Sequence, residues 1–395
     1  MGNFKKNLLI CWFGVFTTSM GLSQLAPILP FYIRSLGVSE YGQITFYSGL
    51  CFGITALMMT FCSPFWGHLT NRFGSRLMLL RASFGMAFLT LFLAFVQNVE
   101  QIIIIRALTG LVSGFTSAAI VYIALISPKE KATYALATLS TASVSGNLIG
   151  PLFGGLFAEL VGIRALFVVI ATLLFCSFLT TYFFIKDKGR ANDSVDLEFA
   201  QTGGLRQNLS LLLTLFALTF IIQVGFNAVM PIMSLFVEQI HHSARFIALW
   251  AGLVVAASGV SNIIFAPKLG KIADKIGAGK VLLMALAFCA VIFYLHSLVE
   301  NIITLIFLRL LLGVGLGGLV PCVNALFKKI VPQKKLGLVF GFNQSAFALG
   351  NFIGSVSGGF LAGLYNIEFV FKIISVVFLS FALYFAILQR KSIFA

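Results

Sequence analysis

Residues 67–77 read GHLTNRFGSRL, a polar run with one histidine and two arginines. The stretches on either side, 44–66 and 77–96, contain almost nothing but apolar side chains, and each is long enough to cross the ~30 Å hydrocarbon core of a bilayer as a helix. The run is therefore expected to be a loop at a membrane surface. Composition agrees: 59% of the 395 residues are hydrophobic, 10% are charged and 43 are phenylalanine, more apolar surface than a soluble fold can hide.

Working outward, apolar runs separated by polar breaks predict an all-α membrane protein of twelve transmembrane helices, near 8–33, 44–66, 77–96, 101–126, 133–160, 164–186, 208–238, 245–268, 279–298, 301–327, 336–363 and 366–389. The basic, then apolar opening reads as an uncleaved first helix, because no small-residue cleavage site follows it. Of the 27 Lys and Arg, Arg34, Arg164, Arg245 and Lys372 fall on one side and Arg106 and Arg309 lie within helices, which leaves 21 on the side of both termini. The positive-inside rule makes that side cytoplasmic. The net charge of +15 is scattered between apolar runs rather than gathered into a basic groove, so a lipid bilayer is expected as partner and nucleic acid is not. The six cysteines sit inside apolar runs at irregular spacing, which predicts neither disulfides nor a metal, and no cofactor is implied.

The chain repeats itself. SPFWGHLTNRFGSRLMLLRA from Ser63 aligns with APKLGKIADKIGAGKVLLMA from Ala266 at an offset of 203, and Arg106, Gly110 and Gly114 meet Arg309, Gly313 and Gly317 at the same offset. At 204, GNLIGPLFGG from Gly146 meets GNFIGSVSGG from Gly350, and Pro27 meets Pro231. The expected organisation is two pseudo-symmetric six-helix bundles, 1–186 and 208–395, joined by a polar cytoplasmic linker over 187–207.

This parallel duplication resembles the major facilitator superfamily of secondary transporters over essentially the whole chain. Gly67, Leu69, Arg72, Gly74 and Arg76 match the superfamily motif between helices 2 and 3, with Asn71 where an aspartate is usual; the second copy keeps an acid at Asp274. The resemblance makes Gly67, Asn71, Arg72, Gly74, Arg76 and Asp274 a cytoplasmic latch that holds helix ends together in the outward-facing state. Asn71 can hydrogen-bond but cannot form an ion pair, which weakens such a latch. The plainer reading is that the arginines only anchor topology.

The fifth predicted helix carries Gly146, Gly150 and Gly154 on one face, with Pro151 and Gly155 beside them. Glycines four apart let helices approach closely, and the proline removes a backbone donor. The Gly-Pro-x-x-Gly-Gly pattern resembles the antiporter motif of drug/proton exporters, most closely the MdtG-type branch, and the second half has Ser355 in place of the proline.

Arg106 is costly in a helix interior, although from six residues inside Glu100, about 9 Å at the helical rise, it could snorkel outward. The resemblance implies that it couples transport to protons; Arg309 at the repeated position reads as structural. All twelve acids fall in loops or near helix ends, and His68, His241, His242 and His296 lie in loops or near a helix end, so proton coupling rests on the resemblance alone.

Polar side chains inside apolar helices mark a cavity between the halves: Gln24, Gln223, Asn227, Asn324, Asn343 and Gln344, with Asn147 as a further candidate. Isolated amides also bridge helices. The expected function is export of small amphipathic organic molecules, of the multidrug efflux type with proton antiport, from the inner membrane of a bacterium by a monomer. One alternative is a dedicated carrier, exporting or importing a siderophore or other metabolite; another is a non-transporting membrane receptor or lipid scramblase. No nucleophile–base constellation or phosphate loop suggests an enzyme.

Overall fold

The computed structural model describes residues 2–128, 131–185, 209–241, 246–331 and 336–390, so the predicted linker at 187–207 lies outside the described residues. Those residues form helices and turns. In chain order the helices are α1 (Gly2–Ser23), α2 (Leu29–Ser35), α3 (Tyr41–Phe73), α4 (Ser75–Leu93), α5 (Val99–Val112), α6 (Phe115–Ile126), α7 (Ala132–Val161) and α8 (Ile163–Phe184), followed by α9 (Leu209–Val229), α10 (Met233–Ile240), α11 (Ile247–Ile276), α12 (Ala278–His296), α13 (Ile302–Ile330), α14 (Leu336–Leu364) and α15 (Ile367–Arg390). Helices are what such a sequence must form, because lipid offers the backbone no hydrogen-bond partner. Eleven spans among the described residues are long and apolar enough to cross a bilayer. The first expected span, 8–33, is divided between α1 and α2 by a turn at 24–28.

Three expectations need correction. The run 67–77 is not a loop: α3 stays helical to Phe73, and the chain turns on Gly74 alone, at φ +84°. Its repeat behaves alike, with α11 ending at Ile276 and Gly277 at φ +99°. Hydropathy marks where lipid ends, whereas a helix can continue into water. The predicted helix 101–126 is interrupted at Ser113 and Gly114, the latter at φ +124°, a conformation glycine adopts without strain. The predicted helix 208–238 passes through a 3-10 turn at Met230–Ile232, where Pro231 cannot donate. None of these interruptions brings in a charged residue, so hydropathy does not reveal them.

The chain forms two compact units, Met1–Gly37 with Ile54–Ala200 and Val38–Gly53 with Gln201–Ala395. In the first, α1 packs along α7 and α4 along α8; in the second, α9 packs along α14 and α12 along α15, the same pairings one repeat later. The capping chemistry repeats as well: Asn98 Oδ1 accepts from the Gln101 amide at 3.0 Å, and Asn301 Oδ1 from the Thr304 amide at 2.8 Å. The core of the first unit gathers Cys11, Val15, Leu79, Ala82, Phe115 and Leu139. Phe88, Phe175, Ile303 and Val376 instead expose large apolar surface, as lipid-facing side chains do.

Candidate functional site

The glycines of α7 are seated on the backbone of α1. A Cβ added at Gly146 would lie 2.5 Å from the Phe16 carbonyl oxygen, and one at Gly154 would lie 2.5 Å from that of Gln24. At Gly150 it would collide with Ser23 Oγ and come within 2.8 Å of the Met20 carbonyl oxygen. Ser23 Oγ in turn donates to the Gly146 carbonyl at 3.2 Å. The second unit repeats this seam on α14: Gly350 faces the Phe220 carbonyl and Gly354 that of Val224, each at 2.5 Å from an added Cβ, and Gly358 faces Ala228. These backbone pairs, Phe16–Gly146, Met20–Gly150 and Gln24–Gly154, each recur moved by 204, as Phe220–Gly350, Val224–Gly354 and Ala228–Gly358. Pro151 lies inside an unbroken α7; at the corresponding place in α14, Ser355 returns its hydroxyl to the Asn351 carbonyl at 2.8 Å. Gly155 follows the glycine face at Gly154 and is buried.

Beside these seams lie two groups of the predicted amides. Gln24 is fully buried in the turn after α1, and among the described residues neither its Oε1 nor its Nε2 has a hydrogen-bond partner. In the second unit Asn227 Nδ2 donates to Asn351 Oδ1 at 2.7 Å and to the Gln223 carbonyl at 3.0 Å, which brings Gln223 and Asn227 together just before the 3-10 turn. Asn351 was not singled out in the sequence; its signal was that it stands 204 residues after Asn147. Asn324 on α13 and Asn343 on α14 are half-buried, and the Asn343 Oδ1 is buried without a partner. Gln344 is exposed on α14.

Arg106 is buried on α5, and its backbone carbonyl accepts from Thr55 Oγ1 at 3.0 Å. One turn on, Gly110 admits the Thr55 backbone, as Gly313 admits that of Ser258 one repeat later. The units differ just beyond. Where α5 breaks, Arg81 Nη2 donates to the Ser113 carbonyl at 3.1 Å, its guanidinium lies 3.4 Å over the Trp66 ring, and Trp66 Nε1 donates to the Leu111 carbonyl at 2.6 Å. The corresponding residues are Met284 and Leu269, and there α13 is unbroken. A cation and an indole thus satisfy the carbonyls that the break in the first unit frees.

Of the predicted latch, Gly74 makes the turn described above, and Arg76 on α4 donates to the Tyr182 carbonyl of α8 at 3.0 Å. Asp274 is exposed in the last turn of α11. Gly67, Asn71 and Arg72 lie on α3, where the surroundings of these three are outside the described residues. The acids on described helices, Glu100, Glu159, Glu238, Asp274 and Glu368, all fall in a first or last turn.

Comparison with known proteins follows the same repeat. The sequence pattern described as Major Facilitator Superfamily matches residues 11–218 and again 215–392. The chain is 38% identical over 391 residues to a protein of Salmonella arizonae named multidrug resistance protein MdtG, covering 98% of this chain and 97% of that one. It is 38% identical over 383 residues to the protein of the same name in Salmonella schwarzengrund, covering 97% and 95%. In fold it is similar to the nucleoside transporter NupG, with a TM-score of 0.80 at 13% identity over 98% of each chain. It is likewise similar to a bacterial homologue of the human lysosomal transporter Spinster, with a TM-score of 0.79 at 12% identity over 98% and 97%.

Proposed function

The chain belongs to the major facilitator superfamily of membrane transporters, and from that premise we propose that it exports small amphipathic organic molecules across a bacterial inner membrane by proton-driven alternating access of two six-helix bundles. The observation that carries this reading is its likeness, along nearly the whole chain, to proteins named for multidrug resistance. The Gly-Pro-x-x-Gly-Gly sequence on α7, absent as a proline motif from α14, supports the exporter direction.

In this reading both termini are cytoplasmic, the chain works as a monomer, and Arg106 couples cargo movement to protons. Gln24, Gln223, Asn227, Asn324, Asn343 and Gln344 supply the polar contacts to cargo. Gln24 is favoured by its buried amide without a partner, which cargo would satisfy; Gln344, exposed on α14, is the least supported. The test is accumulation of a panel of fluorescent amphipathic dyes in bacteria stripped of their own exporters, with and without a protonophore. The reading requires lowered accumulation that the protonophore abolishes. Equal accumulation with and without the protein across the panel would remove it, and lowered accumulation that ignores the protonophore would remove its proton coupling.

A further inference from the structure

The second unit holds a buried polar cluster that the repeat does not share. Arg309 on α13 is fully buried, and among the described residues its one hydrogen-bond partner is the Met233 thioether, at 3.2 Å from Nη2; Nε and Nη1 have none. A thioether is a weak acceptor, and a buried guanidinium facing only that carries an uncompensated charge. Met233 is the first residue of α10, directly after the 3-10 turn that interrupts the seventh span. Ser234 follows it, fully buried, its hydroxyl without a partner among the described residues. His296 at the end of α12 is fully buried too, within electrostatic reach of Arg309; its Nδ1 donates to the Ile292 carbonyl at 2.7 Å, which leaves Nε2 without a partner. Phe371 closes over His296 at 5.2 Å between ring centres and packs against Phe236 at 5.3 Å.

Shifted back by one repeat, the places of Met233, Ser234 and His296 are taken by Leu29, Pro30 and Leu93. Both units keep the arginine, but at these three places only the second unit carries side chains able to hydrogen-bond. Apolar side chains serve at these three places in the first unit, so the repeat itself does not require polar ones in the second. Interrupted helices in transporters are also where backbone and side chains are free to meet an ion.

We propose that this cluster is an anion site: a small monovalent anion, either chloride from solution or the carboxylate of an organic molecule, seated against the guanidinium of Arg309. An anion supplies the charge that the fold withholds and accepts from an unpartnered N–H of the guanidinium, at Nη1 or at Nε. The site stands on its own residues, whatever the chain exports.

The test uses the purified full-length protein in detergent. Its thermal unfolding midpoint is followed against chloride, against acetate and against a bulky morpholine sulfonate at equal ionic strength, and binding of radiolabelled chloride and acetate is measured directly. Expected is a saturable rise in midpoint with chloride or acetate over the sulfonate, lost in Arg309→Gln and weakened tenfold or more in Arg309→Lys. A response to chloride alone assigns an inorganic anion, and one at least as strong to acetate assigns a carboxylate. If the sulfonate does as well as both, or Arg309→Gln responds like the wild type, the proposal fails. Should Arg309→Gln not fold, the absence of displaceable label on the wild-type protein overturns it equally.

Discussion

Gly154→Ala adds one methyl group to the seam between α7 and α1, and the structure sets what that methyl must displace. Its nearest neighbours are the Gln24 carbonyl oxygen at 2.5 Å, the Gln24 Cβ at 3.1 Å and the Gln24 carbonyl carbon at 3.2 Å. Ordinary contact begins near 3.4 Å, so about 0.9 Å must be found, and backbone cannot rotate aside as a side-chain tip can. Overpacking of this kind costs about 1–3 kcal/mol, and the rigid neighbours place Gly154→Ala in the upper part of that range. Gly150→Ala meets Ser23 Oγ first, which can turn away, leaving the Met20 carbonyl at 2.8 Å and a smaller displacement. The expected order is therefore a larger loss of thermal stability and dye export for Gly154→Ala than for Gly150→Ala. Two second-site changes sharpen it. Ser23→Ala should recover part of the Gly150→Ala defect, whereas Gln24→Ala should not recover Gly154→Ala, whose obstacle is backbone. Thermal unfolding of purified variants, with efflux from cells matched for expression, measures both. A Gly154→Ala protein with wild-type midpoint and efflux, or one rescued by Gln24→Ala, would refute the reasoning.

Three further outcomes are expected. Arg81→Met installs the side chain of the second repeat and leaves the Ser113 carbonyl without its charged donor; a loss of about 1–3 kcal/mol should appear as a lower unfolding midpoint, and an unchanged midpoint would mean that the break needs no such partner. Asn351→Leu removes the acceptor of Asn227 and should cost about 0.6 kcal/mol and no more than about 1.7, as interhelical hydrogen bonds in membranes do; a double-mutant cycle with Asn227→Leu reads the coupling, and a value of zero would show that the two amides do not depend on each other. Asn71→Asp restores the carboxylate usual in the superfamily and should move the protein toward the outward-facing state by no more than roughly fivefold, the shift worth about 0.2–1 kcal/mol at a partly exposed pair, while Arg72→Ala moves it back. Cysteine accessibility from the two membrane sides, in a background without the six native cysteines, follows that shift, and no change with either substitution would reduce the run to a topological anchor.

Membrane embedding, the helical class and the duplication were decided by the sequence, because each is written in short-range quantities. Lipid compels apolar runs of about twenty residues to be helices, and two copies of one packing problem leave Gly146 and Gly350, or Asn98 and Asn301, at nearly one offset, 204 and 203. The sequence also placed the glycine face of α7, since residues four apart share a side of any helix. What that face touches was decided only by tertiary structure. The interruptions at 24–28, 113–114 and 230–232 were hidden because they bring in no charge and only the single polar residues Gln24 and Ser113, and hydropathy records transfer into lipid rather than backbone direction. The continuation of α3 through a polar run to Phe73 was hidden for the converse reason. Arg81 gave no sign of its role, because its partners, the Ser113 carbonyl and the Trp66 ring, are distant in the chain and one of them is backbone. His296 looked like a residue near a helix end and Arg309 like a structural repeat of Arg106. Only the packing of α10, α12, α13 and α15 buries both, with Arg309 beside Met233, where the cost of an unpaired charge makes a testable site.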